Sequence, residues 1–259
     1  MPNIIYCFSG SGNCLDMAKK IARELGNTDI VMMRSYPAVT DATGYERVGF
    51  VFPCHGGGLP GDVEQFIKDI RVSDCAYKFG VVQYAGYMGC GLHKLDKLFG
   101  LDYWAGMSNH CSAIWLMPHY LTFPHTSLEQ AQKRSDKTAE KIAADVKAKA
   151  VSAKKPPVNS INAVESMGFS RINKRLNAKM TVSDKCIGCG TCAKLCPRKN
   201  IFIVGGKAKI LQNCVGCMSC VEYCPKEAIN VGTVTIKRER FHNSNIGPEE
   251  LTKKIIHID

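Results

Sequence analysis

The sequence predicts an α/β protein with a doubly wound parallel sheet over residues 1–151 and a second, smaller α+β domain over 181–259. Three observations carry this expectation. Apolar runs alternate with amphipathic segments through the first half, and a glycine-rich turn separates the first run from the first amphipathic segment. Near the end, one cysteine array occurs twice without a gap.

In chain order, "NIIYCFS" (3–9) reads as a buried strand, and a helix follows from about Leu15 to Leu25. "DIVMM" (29–33) and "RVGFVFP" (47–53) are the next strands, then a helix around "PGDVEQFIKDI" (60–70) and the strand "KFGVVQYA" (78–85). "LHKLDKLF" is helical, and one further strand falls near 102–107 or 112–117. Residues 127–151 are rich in helix formers, with Thr126 or Ser127 as N-cap. Strands and helices alternating in this way imply parallel pairing with helices on both faces. The paired prolines of "SAKKPPVN" (152–159) end the last helix and open a linker that runs, with a basic helical segment, to residue 180.

The bulk numbers bound the class. The chain has 259 residues, 45% of them hydrophobic and 22% charged, as in ordinary globular proteins. No stretch approaches the ~20 apolar residues of a membrane span, and the N-terminus carries no basic n-region, so a cytoplasmic location is expected. Fourteen cysteines suggest metal-bound thiolates in a reducing compartment, because a chain of this size needs no disulfide staples. The formal charge is +11, yet no basic helix or nucleic-acid module is evident.

The repeat fixes the second domain. "KCIGCGTCAKLCPRKNI" (185–201) and "NCVGCMSCVEYCPKEAI" (213–229) align at an offset of 28 residues. Each follows C-x2-C-x2-C-x3-C-P. Three thiolates two residues apart wrap one face of a cubane, while the fourth lies beyond that loop and completes the cluster of the opposite repeat. One 4Fe–4S cluster is therefore expected on Cys186, Cys189, Cys192 and Cys224, and a second on Cys214, Cys217, Cys220 and Cys196. Gly188, Gly190 and Gly216 let the loops turn and aim amides at sulfur. Zinc is the competing assignment, but its structural sites use paired C-x2-4-C units rather than two full arrays. Two such clusters carry about −4 with their thiolates, so part of the basic excess balances cofactor charge. The segment 181–233 resembles bacterial-type two-cluster ferredoxins, with all eight ligands and both prolines in place.

The glycine-rich turn "CFSGSGNC" (7–14) fits neither G-x-G-x-x-G, since Leu15 stands where the third glycine belongs, nor a P-loop, since no Gly-Lys-Ser/Thr follows. Ser9, Gly10, Ser11, Gly12 and Asn13 instead offer hydroxyls, an amide and backbone N–H groups at a helix start, without a lysine or arginine. That composition suits a single terminal phosphate. The turn resembles the flavodoxin loop for the 5′-phosphate of FMN, with Cys14 where that family carries serine or threonine. Two further loops, "PCHGGGLPGDVEQFI" (53–67) and "YAGYMGCG" (84–91), follow predicted parallel strands at the ends where doubly wound sheets bind ligands. The resemblance implies that they flank the flavin ring through His55, Gly56, Gly57 and Gly58 and through Tyr84, Ala85, Gly86, Tyr87, Met88, Gly89 and Cys90. Tyr84 or Tyr87 would stack on the ring, His55 or Met88 would flank it, and "LMPHYLTF" (116–123) would close the site. Cys7, Cys14, Cys54, Cys75, Cys90 and Cys111 have no ligand spacing; most read as small buried apolar residues, while Cys14, Cys54 and Cys90, in the three glycine-rich loops, leave a reactive-thiol reading open.

Over nearly its whole length the chain resembles the EFR1 family of flavodoxin–ferredoxin fusion proteins. "FSGSGN", "LPGDVEQFI", "CIGCGTC" and the tail "RERFHNSNIGPEEL" (238–251) carry the resemblance. It implies an electron-transfer protein with FMN and two 4Fe–4S clusters, acting between redox protein partners. The alternative is an FMN-dependent reductase of a small molecule, with His55, Tyr87, His93 and His119 as proton-donor candidates. The clusters would meet the flavin either within one chain or in a head-to-tail homodimer.

Overall fold

The computed structural model describes residues 1–34, 39–110, 113–116, 127–158, 168 and 171–259. Its first part comprises β1 (Asn3–Cys7), α1 (Asn13–Leu25), β2 (Thr28–Met32), β3 (Asp41–Ala42), β4 (Arg47–Pro53), α2 (Gly61–Phe66), β5 (Arg71–Val72), β6 (Tyr77–Tyr84), α3 (Gly91–Phe99), β7 (Tyr103–Ser108) and α4 (Leu128–Lys147). The main strands are those expected from apolar runs. They pair in parallel in the order β2-β1-β4-β6-β7. Crossover at β1 places a topological switch point there, as in flavodoxin-like doubly wound sheets. The chain therefore has an α/β flavodoxin-like fold.

Each face of the sheet is closed by helices. Ile5, Val51 and Val81 point toward α1 and α4 with Leu15, Ile21, Ile142 and Val146. Tyr6, Phe50 and Val82 point toward α2 and α3 with Val63, Phe66, Leu92 and Leu95. Such alternation is what a strand buried on both faces requires. α4 begins where expected: the Ser127 hydroxyl accepts from the Gln130 amide at 3.2 Å in a capping box. It ends at Lys147, short of the expected residue 151, because Lys149 enters the left-handed region at φ 51°. Of the two positions left open for the last strand, Tyr103–Ser108 is the strand. Residues 111–112 and most of the expected closing segment 116–123 lie outside the described residues.

The second part comprises the helix α5 (171–178), β8 (Met180–Val182), α6 (Thr191–Leu195), β9 (Ile201–Val204), β10 (Lys207–Ile210), α7 (Ser219–Glu222), β11 (Ile229–Val231), α8 (Pro248–Thr252) and β12 (Ile255–Ile258). β8 pairs with β11 and β9 with β10, each antiparallel, around a small core of Ile201, Val221, Ile229 and Val231. α5 docks on this unit, Asn173 and Asn177 donating to the carbonyls of Val215 (3.2 Å) and Leu211 (2.9 Å). The linker is pinned as well, since Trp104 Nε1 donates to the Lys154 carbonyl at 2.7 Å.

The tail of the expected 181–259 domain reaches across the molecule: β12 joins the first domain's sheet as its sixth strand, antiparallel to β2. The edge of β2 would otherwise leave a row of backbone groups unpaired. "IIHI" supplies the partner, helped by His257 Nδ1 against Asp29 Oδ1 at 2.8 Å.

Candidate functional site

Eight cysteines line two cavities in the second domain. One is bounded by Cys186, Cys189, Cys192 and Cys224 with Pro225. The other is bounded by Cys196, Cys214, Cys217 and Cys220 with Pro197. The structure thus brings together the two crossed sets that the repeat predicts. Amides point at sulfur in both: Ala208 N at Cys186 (3.4 Å) and Ala228 N at Cys224 (3.2 Å) in the first, Asn200 N at Cys196 and Gly216 N at Cys214 (both 3.2 Å) in the second. Burial pushes the Cys192 and Cys214 thiols up to about 11, and raises Cys220 further with help from Cys217, Cys214, Cys196 and Cys192. Cys189, at the exposed rim, is lowered instead by the Thr191 hydroxyl and amide. Buried thiols crowded in this way resist ionisation alone and are a fitting donor set for a strongly cationic centre. Among the described residues, no three His, Cys, Asp or Glu groups converge tightly enough to chelate a single ion.

The cavity holding the exposed Cys189 is the outer one. The other, the inner cavity, abuts the first domain at the glycine-rich turn. Ser219, two residues beyond Cys217, donates from its hydroxyl to the Gly10 carbonyl at 2.8 Å. The Asn243 amide donates to the Ser11 carbonyl, also at 2.8 Å. Gly10 permits this approach, because a Cβ there would stand 2.1 Å from the Cys217 carbonyl oxygen. Gly12 combines φ 93° with Tyr223, Asn243 and Ile246 packed against it. Arg34, just past β2, completes the junction. Its guanidinium donates to the carbonyls of Ser9 (3.0 Å) and Leu195 and to the Ser219 hydroxyl (2.9 Å). Farther out, Arg198 Nε and Nη2 both reach Asp62 Oδ1 at 2.6 Å.

The turn itself is buried: Ser9, Ser11, Asn13 and Cys14 are each less than 5% exposed. Whether it still suits a phosphate depends on which face the second domain takes. The carbonyls of Ser9, Gly10 and Ser11 are engaged by Arg34, Ser219 and Asn243. Gly12 N is used internally, donating to Ser9 Oγ at 3.1 Å. Asn13 Nδ2, by contrast, is a buried donor with no partner among the described residues, at the start of α1. A buried orphan donor is costly unless an acceptor meets it. The residues present therefore fit an anionic group on the amide side of the turn. Cys14 does not join them. Its thiol lies 3.9 Å from Gln83 Oε1, within the core formed with α1 and α4.

The two other predicted loops do converge at the carboxyl ends of β4 and β6. His55 and Gly58 exchange backbone hydrogen bonds of 3.0 and 2.9 Å, and Cys90 N donates to Gly57 O at 2.7 Å, tying one loop to the other. His55 packs edge-on against Phe8 at 6.0 Å, and burial pushes its pKa down to about 4, so it is neutral at pH 7. Of the two tyrosines, Tyr87 is 47% exposed. Tyr84 lies with Met88 over Gly106 on β7, where a Cβ would meet both. Gly56, Ala85, Gly86 and Gly89 complete the loops. His93 lies on α3, and His119 falls outside the described residues, as does Cys111. Burial raises the thiols of Cys7 and Cys14 and disfavours their thiolate forms. Arg34 is the residue that sequence reading missed: no motif contains it, and only folding carries it to the turn.

Comparison with known proteins agrees with the second domain's geometry. A model of the 4Fe-4S dicluster domain matches residues 178–238. This part of the chain is an iron–sulfur domain, and at least one 4Fe–4S cluster belongs to it. Together with the strand order, this defines the class: a flavodoxin-like α/β domain joined to a 4Fe–4S domain. No match was found among curated proteins. Among solved structures, the rubredoxin oxygen:oxidoreductase of Desulfovibrio gigas aligns at 15% identity and TM-score 0.37, over 57% of this chain but only 36% of its own. An FMN-dependent NADH-azoreductase from Bacillus anthracis, in complex with FMN, aligns at 9% identity and TM-score 0.41, over 56% of this chain and 99% of its own. A flavodoxin from the domain Archaea aligns at 14% identity and TM-score 0.32, over 55% and 99%. The fold assignment rests on strand order rather than on these likenesses. Among the described residues, no helix is long and apolar enough to cross a membrane.

Proposed function

We propose that the chain is an electron-transfer protein of the EFR1 type, exchanging electrons between two 4Fe–4S clusters and FMN within a single chain. Its units are the FMN-binding domain (1–151, with β12 added to its sheet), the linker (152–180) and the cluster domain from residue 181. The outer cluster is held by Cys186, Cys189, Cys192 and Cys224, the inner by Cys196, Cys214, Cys217 and Cys220. Ser9–Asn13 hold the FMN phosphate, and the 55–58 and 84–90 loops hold the ring. Bound FMN supplies a carrier of one or two electrons, whereas a cubane passes electrons singly.

The observation that carries this reading is the Ser219–Gly10 hydrogen bond, which sets the inner four-thiol cavity against the phosphate turn. Such closeness within the chain supports intramolecular exchange over a head-to-tail homodimer. The chain's own residues contribute a water-excluding junction. Val215 and Cys217 share an apolar cluster with Phe8 and Leu59, and Tyr84 and Met88 pack against it. Donor and acceptor are redox proteins of the same cytoplasmic, reducing compartment. Anaerobic purification with iron and flavin quantification tests the cofactors. About eight irons and about one FMN per chain are expected. Zinc in place of iron, or iron without flavin, would defeat the proposal.

A further inference from the structure

Arg34 is 5% exposed, and its hydrogen-bond acceptors are all neutral: the carbonyl oxygens of Ser9 and Leu195 and the hydroxyl of Ser219. Among the described residues no carboxylate pairs with it. A guanidinium stripped of water needs an opposite charge nearby, since neutral acceptors alone do not offset its desolvation. Its surroundings indicate where that charge comes from. Leu195 precedes Cys196, and Ser219 lies between Cys217 and Cys220, so the cation touches both segments that line the inner cavity. Ser9 opens the phosphate turn.

We infer that Arg34 is a positioning residue that supplies the counter-charge of the inner site and holds its reduction potential at or above that of the outer site. This rests on the two-cluster reading above. Burial by itself works the other way, because a low-dielectric site disfavours the extra negative charge of the reduced state. The inner site is the more enclosed, so without a cation it would lie below the outer one and electrons would stall at the rim. A fixed positive charge beside it favours the reduced form. Arg34 thereby biases a one-electron exchange in which the outer site is oxidised and the inner reduced by the same electron, with no proton moving. The electron enters from an external one-electron donor protein at the exposed rim near Cys189.

The test is an EPR-monitored redox titration of the holoprotein, its Arg34→Gln variant and its Arg34→Lys variant. Cys189→Ser marks which signal belongs to the outer site. Arg34→Gln should lower the inner site's reduced-to-oxidised ratio at least tenfold at fixed potential, about 59 mV for one electron, and leave the outer site unchanged. Arg34→Lys keeps the charge while losing the planar fork, and should retain most of the original gap between the sites. An inner midpoint unmoved in Arg34→Gln, or an equal shift at both sites, overturns the inference. If Arg34→Gln loses inner iron, Arg34→Lys decides: a retained gap supports the inference, and a lost gap with both sites loaded overturns it. Loss of inner iron in both variants would make the residue merely structural and also overturns it. Iron for one cluster only in the unaltered protein would instead refute the two-cluster reading, independently of Arg34.

Discussion

Ser219 and Gly10 are 209 residues apart in sequence, yet the hydroxyl of one donates to the carbonyl of the other across 2.8 Å. That bond joins the glycine-rich turn after β1 to the cysteine-bearing loop of the second domain. It does so on the turn's carbonyl side, where Gly10 has no side chain to interfere.

Gly10→Ala should therefore loosen the junction between the two domains. Its Cβ would meet the Cys217 carbonyl at 2.1 Å, backbone against which nothing flexible can yield. Overpacking of this kind costs about 1–3 kcal/mol. Thermal unfolding of the holoprotein would show the loss, and faster proteolysis near residues 152–158 would accompany it. Ser219→Ala removes the bond to Gly10 and an acceptor of the buried Arg34, and should cost about 2–3 kcal/mol.

The cysteines divide sharply by role. Cys220→Ala should remove the inner cluster and about half of the iron. Cys75→Ala, at an exposed position before β6, should leave iron content and visible absorbance unchanged. Iron analysis of the two purified variants makes the comparison.

The Arg198–Asp62 pair spans the domains at 2.6 Å, but the side chains remain 33% and 18% exposed. Solvent screens it. Asp62→Asn should cost no more than about 1 kcal/mol. The difference from the parent protein should shrink as salt rises through the range where the Debye length falls below ~8 Å.

The pH dependence of the sixth strand follows from His257. Hydrogen bonding to Asp29 raises its pKa above 6.5, and charges on Asp29 and Asp259 add to the rise. A histidine raised on folding contributes stability that is complete below its unfolded pKa and lost as pH rises through the folded value. Amide exchange of Ile256 and Ile258 should therefore accelerate as pH rises through that value, beyond intrinsic chemistry. His257→Ala should remove the excess pH dependence.

Much of this architecture was legible in the sequence because the signals are local. β1, β4 and β6 are largely apolar runs, and Ser127 is one of the two N-cap residues expected for α4. The crossed cysteine sets follow from the 28-residue repeat alone. What escaped depends on distant segments. "IIHI" is too short to identify itself, and it becomes a strand only because β2 presents an open edge. Arg34 reads as a basic residue after a strand until Leu195 and Ser219, 161 and 185 positions later, fold onto it. Cys14 stands where the flavodoxin loop carries a hydroxyl, and helix geometry turns its thiol toward Gln83.

The central claim is that the inner cluster and the flavin exchange electrons inside one chain, across the Gly10–Ser219 junction. The most direct measurement is anaerobic stopped-flow reduction of the holoprotein over a wide range of protein concentration, following cluster and flavin absorbance separately. The account predicts that the rate of electron passage between them does not change with protein concentration. A rate that rises in proportion to concentration would contradict it, because the exchange would then occur between chains.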